Sequence, residues 1–108
     1  MNMKRGLLFI FSAFLFFGEV FLSITADPVD DKQALLDFLH NIHHSHPVNW
    51  HENTSVCTSW TGVSCSNDNS RVTALRLPGV GFRGPIPPNT LGRLSAIQIL
   101  SLRSNGLS

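Results

Sequence analysis

Three stretches of this chain of 108 residues hold residue types at spacings that suggest chemistry. The first is GVGFRG, Gly79 to Gly84. It fits G-x-G-x-x-G, the pattern of a dinucleotide-binding turn or of a kinase glycine loop. A dinucleotide turn needs a helix directly after it and an acidic residue about 20 positions on. Here Pro85, Pro87 and Pro88 follow, which forbids a regular helix, and no acid occurs after Asp68. A kinase needs a strand lysine after the loop, yet the last lysine is Lys32. The nucleotide reading fails, and the glycines read as a backbone corner.

The second stretch is HNIHHSH, with His40, His43, His44 and His46, followed by His51. His40 and His44, at i and i+4, could share one helical face as metal ligands. No H-E-x-x-H motif accompanies them, and histidines also suit the negative end of a helix dipole. A solvated helix end is the simpler reading. The third stretch is CTSWTGVSC, Cys57 to Cys65. A zinc or redox pair would need C-x-x-C spacing or further ligands. In a secreted chain, two cysteines at short range are most simply a disulfide, and closing that loop stabilises by about 2–3 kcal/mol. Asp30, Asp31 and Asp37 have capping or surface readings, and no G-x-S-x-G nucleophile is present. The residues indicate no reaction, no cofactor and no metal.

The compartment is read from the N-terminus. Lys4 and Arg5 precede the uncharged run Leu7–Phe17, and Ala26 stands before the acidic DPVDD. A basic start, a short apolar centre and a small residue before a polar stretch describe a secretory signal peptide, here residues 1–26. The alternative is a signal anchor, because apolar character resumes as far as Ile24. Glu19 and the short core argue against a span of about 20 apolar residues. After removal of the signal, no membrane span is expected. Asn53-Thr54-Ser55 is an N-glycosylation sequon, which a secreted chain can use.

Beyond residue 26 the charges are segregated. Asp27, Asp30, Asp31, Asp37, Glu52 and Asp68 face Lys32 alone, then Arg71, Arg76, Arg83, Arg93 and Arg103 follow without an acid. Such asymmetry can mark an interaction surface. Nucleic acid is excluded as a partner, because spaced arginines without interleaved aromatics make no stacking platform.

The elements that must position these residues are legible in part. From Asp27 to His44 the spacing predicts one helix, with Asp27 as cap, Pro28 in the first turn and Pro47 as terminator. Asp30 and Asp31 complement the dipole. Leu35, Phe38, Leu39 and Ile42 share one face. TGVSC and RVTALRL read as strands around the turn SNDNS. Trp50 and Trp60 read as core filling rather than as ligand-stacking groups.

The last third repeats itself. A shift of 25 residues lays Val72 on Ile97, Leu75 on Leu100, Leu77 on Leu102, Gly81 on Gly106 and Phe82 on Leu107. The pattern L-x-x-L-x-L-x-x-N-x-L is that of a leucine-rich repeat. Leu75 and Leu77 point inward from a strand and Arg76 outward. Asn105 turns the chain and can bond exposed backbone in the neighbouring coil. The first copy has Val80 at that position. Leu100, Leu102 and Leu107 would form an open apolar end, so Ser108 reads as the edge of a fragment.

These residues resemble the N-terminal end of a plant leucine-rich-repeat receptor-like kinase ectodomain. The resemblance rests on DKQALLDFL, NW, C-x2-W-x-GV-x-C, V-x-x-L-x-LP, G-x-IP and LG-x-L, in that order along the chain. LRLPGVGFRGPIPPNTLGRL is most similar to the short-ectodomain branch, whose kinase domains are often inactive. The resemblance implies an α/β fold: a capping helix and a disulfide-pinned hairpin, then the start of a leucine-rich-repeat solenoid. The expected domains are a signal peptide at 1–26, a cap at 27–70 and two repeats at 71–108, the second incomplete. It implies a bridge between Cys57 and Cys65. Concave positions would be Ala74, Arg76, Pro78 and Gly79, then Ile99, Ser101, Arg103 and Ser104. Of these, Arg76, Ser101 and Arg103 are the candidate contacts.

The implied function is extracellular recognition of a peptide or protein ligand, with a co-receptor as a further partner, and no enzyme activity in these residues. The implied location is the secretory pathway and cell surface. The competing reading is a soluble secreted repeat protein, acting as a decoy or as an inhibitor of a cell-wall hydrolase. PPNT places one extra residue before Leu91, which a loop on the convex side should absorb. The cysteine reading is checked directly: alkylating the unreduced secreted protein should leave its intact mass unchanged. Two modified cysteines would remove the cap assignment.

Overall fold

A computed structural model describes residues 27–108. The signal peptide expected at residues 1–26 lies outside the described residues.

Helix α1 spans Val29–Asn41, with Pro28 at its N-cap position. Proline lacks an N–H that would go unsatisfied there, and its carbonyl accepts the Lys32 N–H at 2.8 Å. Asp27 makes no side-chain capping bond; its carboxylate lies 3.7 Å from Lys32 Nζ instead. Leu35, Phe38 and Ile42 are buried as their spacing requires, and Ala34 and Leu36 widen the stripe. The helix ends well before Pro47. Ile42 turns extended at φ −99° and ψ 145°, while its N–H still bonds the Phe38 carbonyl at 3.0 Å. That kink keeps Ile42 in the core and frees His43, whose carbonyl accepts the Arg83 N–H at 3.0 Å.

The short helix α2, Val56–Ser59, carries Cys57. The Cys57–Cys65 disulfide ties it to strand β1, Val63–Cys65, with 5.6 Å between the Cα atoms. Strand β2, Val72–Arg76, pairs antiparallel with β1, which makes the expected hairpin. The Asp68 carboxylate organises its turn, accepting Ser66 Oγ at 2.8 Å, Ser70 Oγ at 2.7 Å and the Ser70 N–H at 3.1 Å.

Two short parallel ladders then build the repeats. Strand β4, Ile99–Ser101, pairs with β2 so that Ala74, Leu75 and Arg76 face Ile99, Leu100 and Ser101. This is the register of the sequence repeat. Strands β3, Arg83–Gly84, and β5, Gly106–Leu107, form the second ladder. After β3 come the loop Pro87–Thr90 and the 3-10 turn Leu91–Arg93. Asn89 adopts φ 59°, and buried Thr90 donates its hydroxyl to the Pro87 carbonyl at 2.7 Å. Leu100 is 50 % exposed on the outer strand, with Leu102 and Leu107 half-buried beside it.

The core joins cap to repeats. Trp50 and Trp60 stack at 5.1 Å with an interplanar angle of 10° and are only 4 % and 3 % exposed. Their indole N–H groups stay satisfied, Trp50 by the Thr61 carbonyl at 3.0 Å and Trp60 by Thr54 Oγ1 at 3.0 Å. Phe38 of α1 meets Phe82 of the first repeat edge-on at 5.2 Å. Both tryptophans fill the core, as expected of them.

Two ion pairs complete the junction. Asp31, 2 % exposed, receives Arg71 Nε at 3.1 Å and Nη2 at 3.3 Å, and the Val72 N–H at 2.8 Å. Arg71 also donates to Ser95 Oγ at 2.7 Å. Asp37, nearer the C-terminal end of the helix, accepts Arg93 Nη1 at 2.7 Å.

Removing a partner from a buried bond strands the other group, at about 1–3 kcal/mol. Asp31→Ala leaves the Val72 N–H unpaired and should lower stability by about 2 kcal/mol in urea unfolding. Asp31→Asn keeps an acceptor and should cost about half as much; equal losses would place the effect elsewhere. The hydrogen bond from Arg93, then that from Gln33, hold the Asp37 pKa below its ordinary 3.8. A carboxyl depressed on folding stabilises above its unfolded value and loses that contribution as pH falls through the folded one. Asp37→Asn should therefore melt slightly below wild type near neutrality, with the gap closing below pH 3.8. A gap that persists into stronger acid would refute the assignment.

Candidate functional site

The open face of the β1–β2–β4 sheet gathers the candidate contacts. Along β2, inward Leu75 and the following Leu77 are buried, and Arg76 between them is exposed. Arg76 faces Ser101 across the ladder. The ladder runs on past both strands: the Leu77 N–H bonds the Ser101 carbonyl at 3.0 Å and the Gly79 N–H bonds the Arg103 carbonyl at 3.1 Å. Arg76 and Ser101 thus stand side by side on adjoining strands, as the repeat register requires, and Arg103 follows in the turn after β4. Pro78, Gly79, Arg103 and Ser104 are exposed, and Ile99 is 44 % exposed.

One concave position is corrected. Ala74 is 5 % exposed, flanked by Ser64 on β1 and Ile99 on β4. A methyl group between two larger neighbours has no reach to a ligand. β1 and β4 flank β2 on its two sides, and their larger side chains cover the small one.

Electrostatics divide the arginines into two sets. Arg71 and Arg93 are spent on Asp31 and Asp37 of the cap helix. Among the described residues, Arg76 and Arg103 have no carboxylate at ion-pair distance. The role of Arg71 and the burial of Asp31 were missed by sequence reasoning. A signal existed, since Asp31 lies on the stripe of Leu35, Phe38 and Ile42, where a carboxylate needs a partner.

GVGFRG is a corner, as its flanking prolines require. Gly79, Gly81 and Gly84 have φ of +62°, +79° and +85°. A Cβ on Gly81 would collide with Ser45 Oγ and stand 3.1 Å from the Ser45 nitrogen. The overlay of Gly81 on Gly106 does not extend to the backbone. Gly106 lies in β5 and Gly81 packs on the cap segment, a neighbour that the second coil lacks. Asn105 closes the corner: its Oδ1 accepts the Val80 and Phe82 N–H groups at 3.0 and 3.1 Å. Its Nδ2 donates to the Leu77 and Leu102 carbonyls at 2.9 and 2.8 Å.

The histidines do not form a site. Only His40 lies in α1, in its last turn, so no helical face holds His40 with His44. The His44 ring meets Phe82 edge-on at 6.1 Å, and its Nδ1 lies 3.0 Å from the His46 carbonyl. Among the described residues, no three His, Cys, Asp or Glu side chains gather as metal ligands, and no helix is long and apolar enough to cross a membrane. Asn53 is exposed in the turn before α2. Thr54 of its sequon donates its hydroxyl to the His51 carbonyl at 2.8 Å.

Comparison with known proteins agrees with this architecture. Residues 28–66 match the family model described as Leucine rich repeat N-terminal domain. An inactive leucine-rich repeat receptor-like serine/threonine-protein kinase of Arabidopsis thaliana is 52 % identical over 109 residues, covering 99 % of this chain and 18 % of that protein. A second Arabidopsis thaliana protein, named Probable inactive receptor kinase, is 48 % identical over 101 residues, covering 94 % of this chain and 16 % of its own length. The chain thus spans less than a fifth of these relatives. The crystal structure of the BIR2 ectodomain from Arabidopsis thaliana superposes with a TM-score of 0.63 at 30 % identity, over 76 % of this chain and 45 % of that one. With a disulfide-tied cap and a parallel ladder in the register of the sequence repeat, the chain is similar over nearly its whole length to the N-terminal ectodomain region of plant leucine-rich-repeat receptor-like kinases.

Proposed function

We propose that this chain is the outer end of a longer cell-surface receptor and serves recognition rather than catalysis. In this reading residues 1–26 direct secretion, 27–70 cap the solenoid and 71–108 are its first two repeats. The face bearing Arg76, Ser101 and Arg103 contributes to binding an extracellular peptide or protein, with a co-receptor as a second partner. Asn53 carries an N-glycan, as its exposed turn allows. The observation that supports this reading best is the ladder itself. Side chains from consecutive repeats stand side by side on an open face, while the inward leucines are consumed by the core.

The test is the transcript together with its product. The reading frame should continue past Ser108 through further repeats, one apolar span and a kinase domain of the inactive kind. The product should reach the cell surface carrying a glycan that Asn53→Gln removes. A stop codon directly after Ser108, with a stable secreted product, would sink the receptor reading and return the soluble decoy or inhibitor.

A further inference from the structure

We propose that the open β2–β4 face takes an acidic, extended peptide segment, its carboxylates held by Arg76 and Arg103. This rests on the recognition reading above and names the chemistry of its ligand.

The charge segregation of the sequence is resolved by the fold into pairs and remainders. Two of the five arginines after Asp68 neutralise the cap helix. Arg83 lies apart on β3, in the second ladder. Arg76 on β2 and Arg103 in the turn after the adjoining β4 remain, both exposed. β1, β2 and β4 contain no acidic residue, and Asp68, in the turn before β2, is engaged by Ser66 and Ser70. Like charges on neighbouring strands repel, and a surface of one sign concentrates the opposite sign.

The spacing selects the shape of the partner. Arg76 stands opposite Ser101, and Arg103, two residues on in the turn after β4, is still held to the neighbouring coil by the Gly79 N–H at 3.1 Å. Strand separation and rise together put their Cα atoms about 8 Å apart. In an extended peptide, side chains at i and i+2 share a face and lie about 7 Å apart. An acid-x-acid segment therefore offers one carboxylate to each guanidinium, a pairing that arginine forms bidentately. Ser101 stands between the two as a hydroxyl donor, and Ile99, on the same face of β4, supplies an apolar contact for the residue beyond.

The experiment is fluorescence anisotropy with the full secreted chain. One labelled probe is an eight-residue alternating Glu-Val peptide and the other is its Gln-Val counterpart. The Glu-Val peptide should bind at least tenfold more tightly than Gln-Val, and weaken as salt rises through the range that screens exposed charges. Arg76→Ala with Arg103→Ala should lose at least tenfold, whereas Arg83→Ala should not. All three side chains are exposed, and an unchanged melting temperature confirms that each variant folds. If both peptides bind alike and only Ile99→Asp weakens them, the face docks peptides without reading charge. The acidic assignment then falls while the recognition reading stands. Absence of binding by the Glu-Val peptide overturns the proposal. Tighter, arginine-dependent binding of an oligogalacturonate overturns it in favour of a polyanionic carbohydrate.

Discussion

A single carboxylate joins the two halves of this molecule. Asp31 sits in the first turn of α1, is almost wholly buried, and takes both the Arg71 guanidinium and the Val72 N–H at the start of β2. Burying a lone carboxylate is costly, so it must be matched by donors already in place. Here the donors belong to the first strand of the solenoid. The helix can seat only where that strand begins, which sets its axial position before any leucine is considered. Phe38 against Phe82 and Asp37 with Arg93 then fix the rest of the helix against the first repeat.

The apolar pattern was easier to read than the polar one. Leu35, Phe38, Leu75 and Leu77 announced themselves by spacing because burial of an alkyl or aryl group needs no particular partner. Asp31 shared the helical stripe, yet its partner lies 40 positions away, and nothing local predicts which arginine will arrive. The helix end failed for a similar reason. The polar run after Asn41 contains no stop signal until Pro47; the stop comes from Arg83, which pairs with the His43 backbone. Ala74 is a concave position by the family resemblance alone. Its burial depends on the width of the neighbouring side chains, which the strand pattern does not encode.

The candidate face was legible to the extent that the repeat was. A one-dimensional shift of the sequence became a physical ladder, so Arg76 and Ser101 could be placed together before any coordinates. The free charge of Arg76 and Arg103 could not. It becomes visible only when Arg71 and Arg93 are seen to be committed to the cap. The same composition would carry no message if the four arginines shared the acids equally. The three glycines of GVGFRG show the converse: a motif defined by letters dissolves once each glycine has a backbone angle and a neighbour.

Asn105 carries a last implication. Its amide reaches back to satisfy the Val80 and Phe82 N–H groups and the Leu77 carbonyl of the preceding coil. Val80 occupies the equivalent place in that coil and offers nothing in return. The clasp therefore works in one direction, each turn being latched by the one after it. The smallest cooperative unit is then the cap plus both coils, and a chain emerging from the ribosome would hold its first coil unlatched until Asn105 had cleared the exit. Folding order is thus written into the repeat spacing.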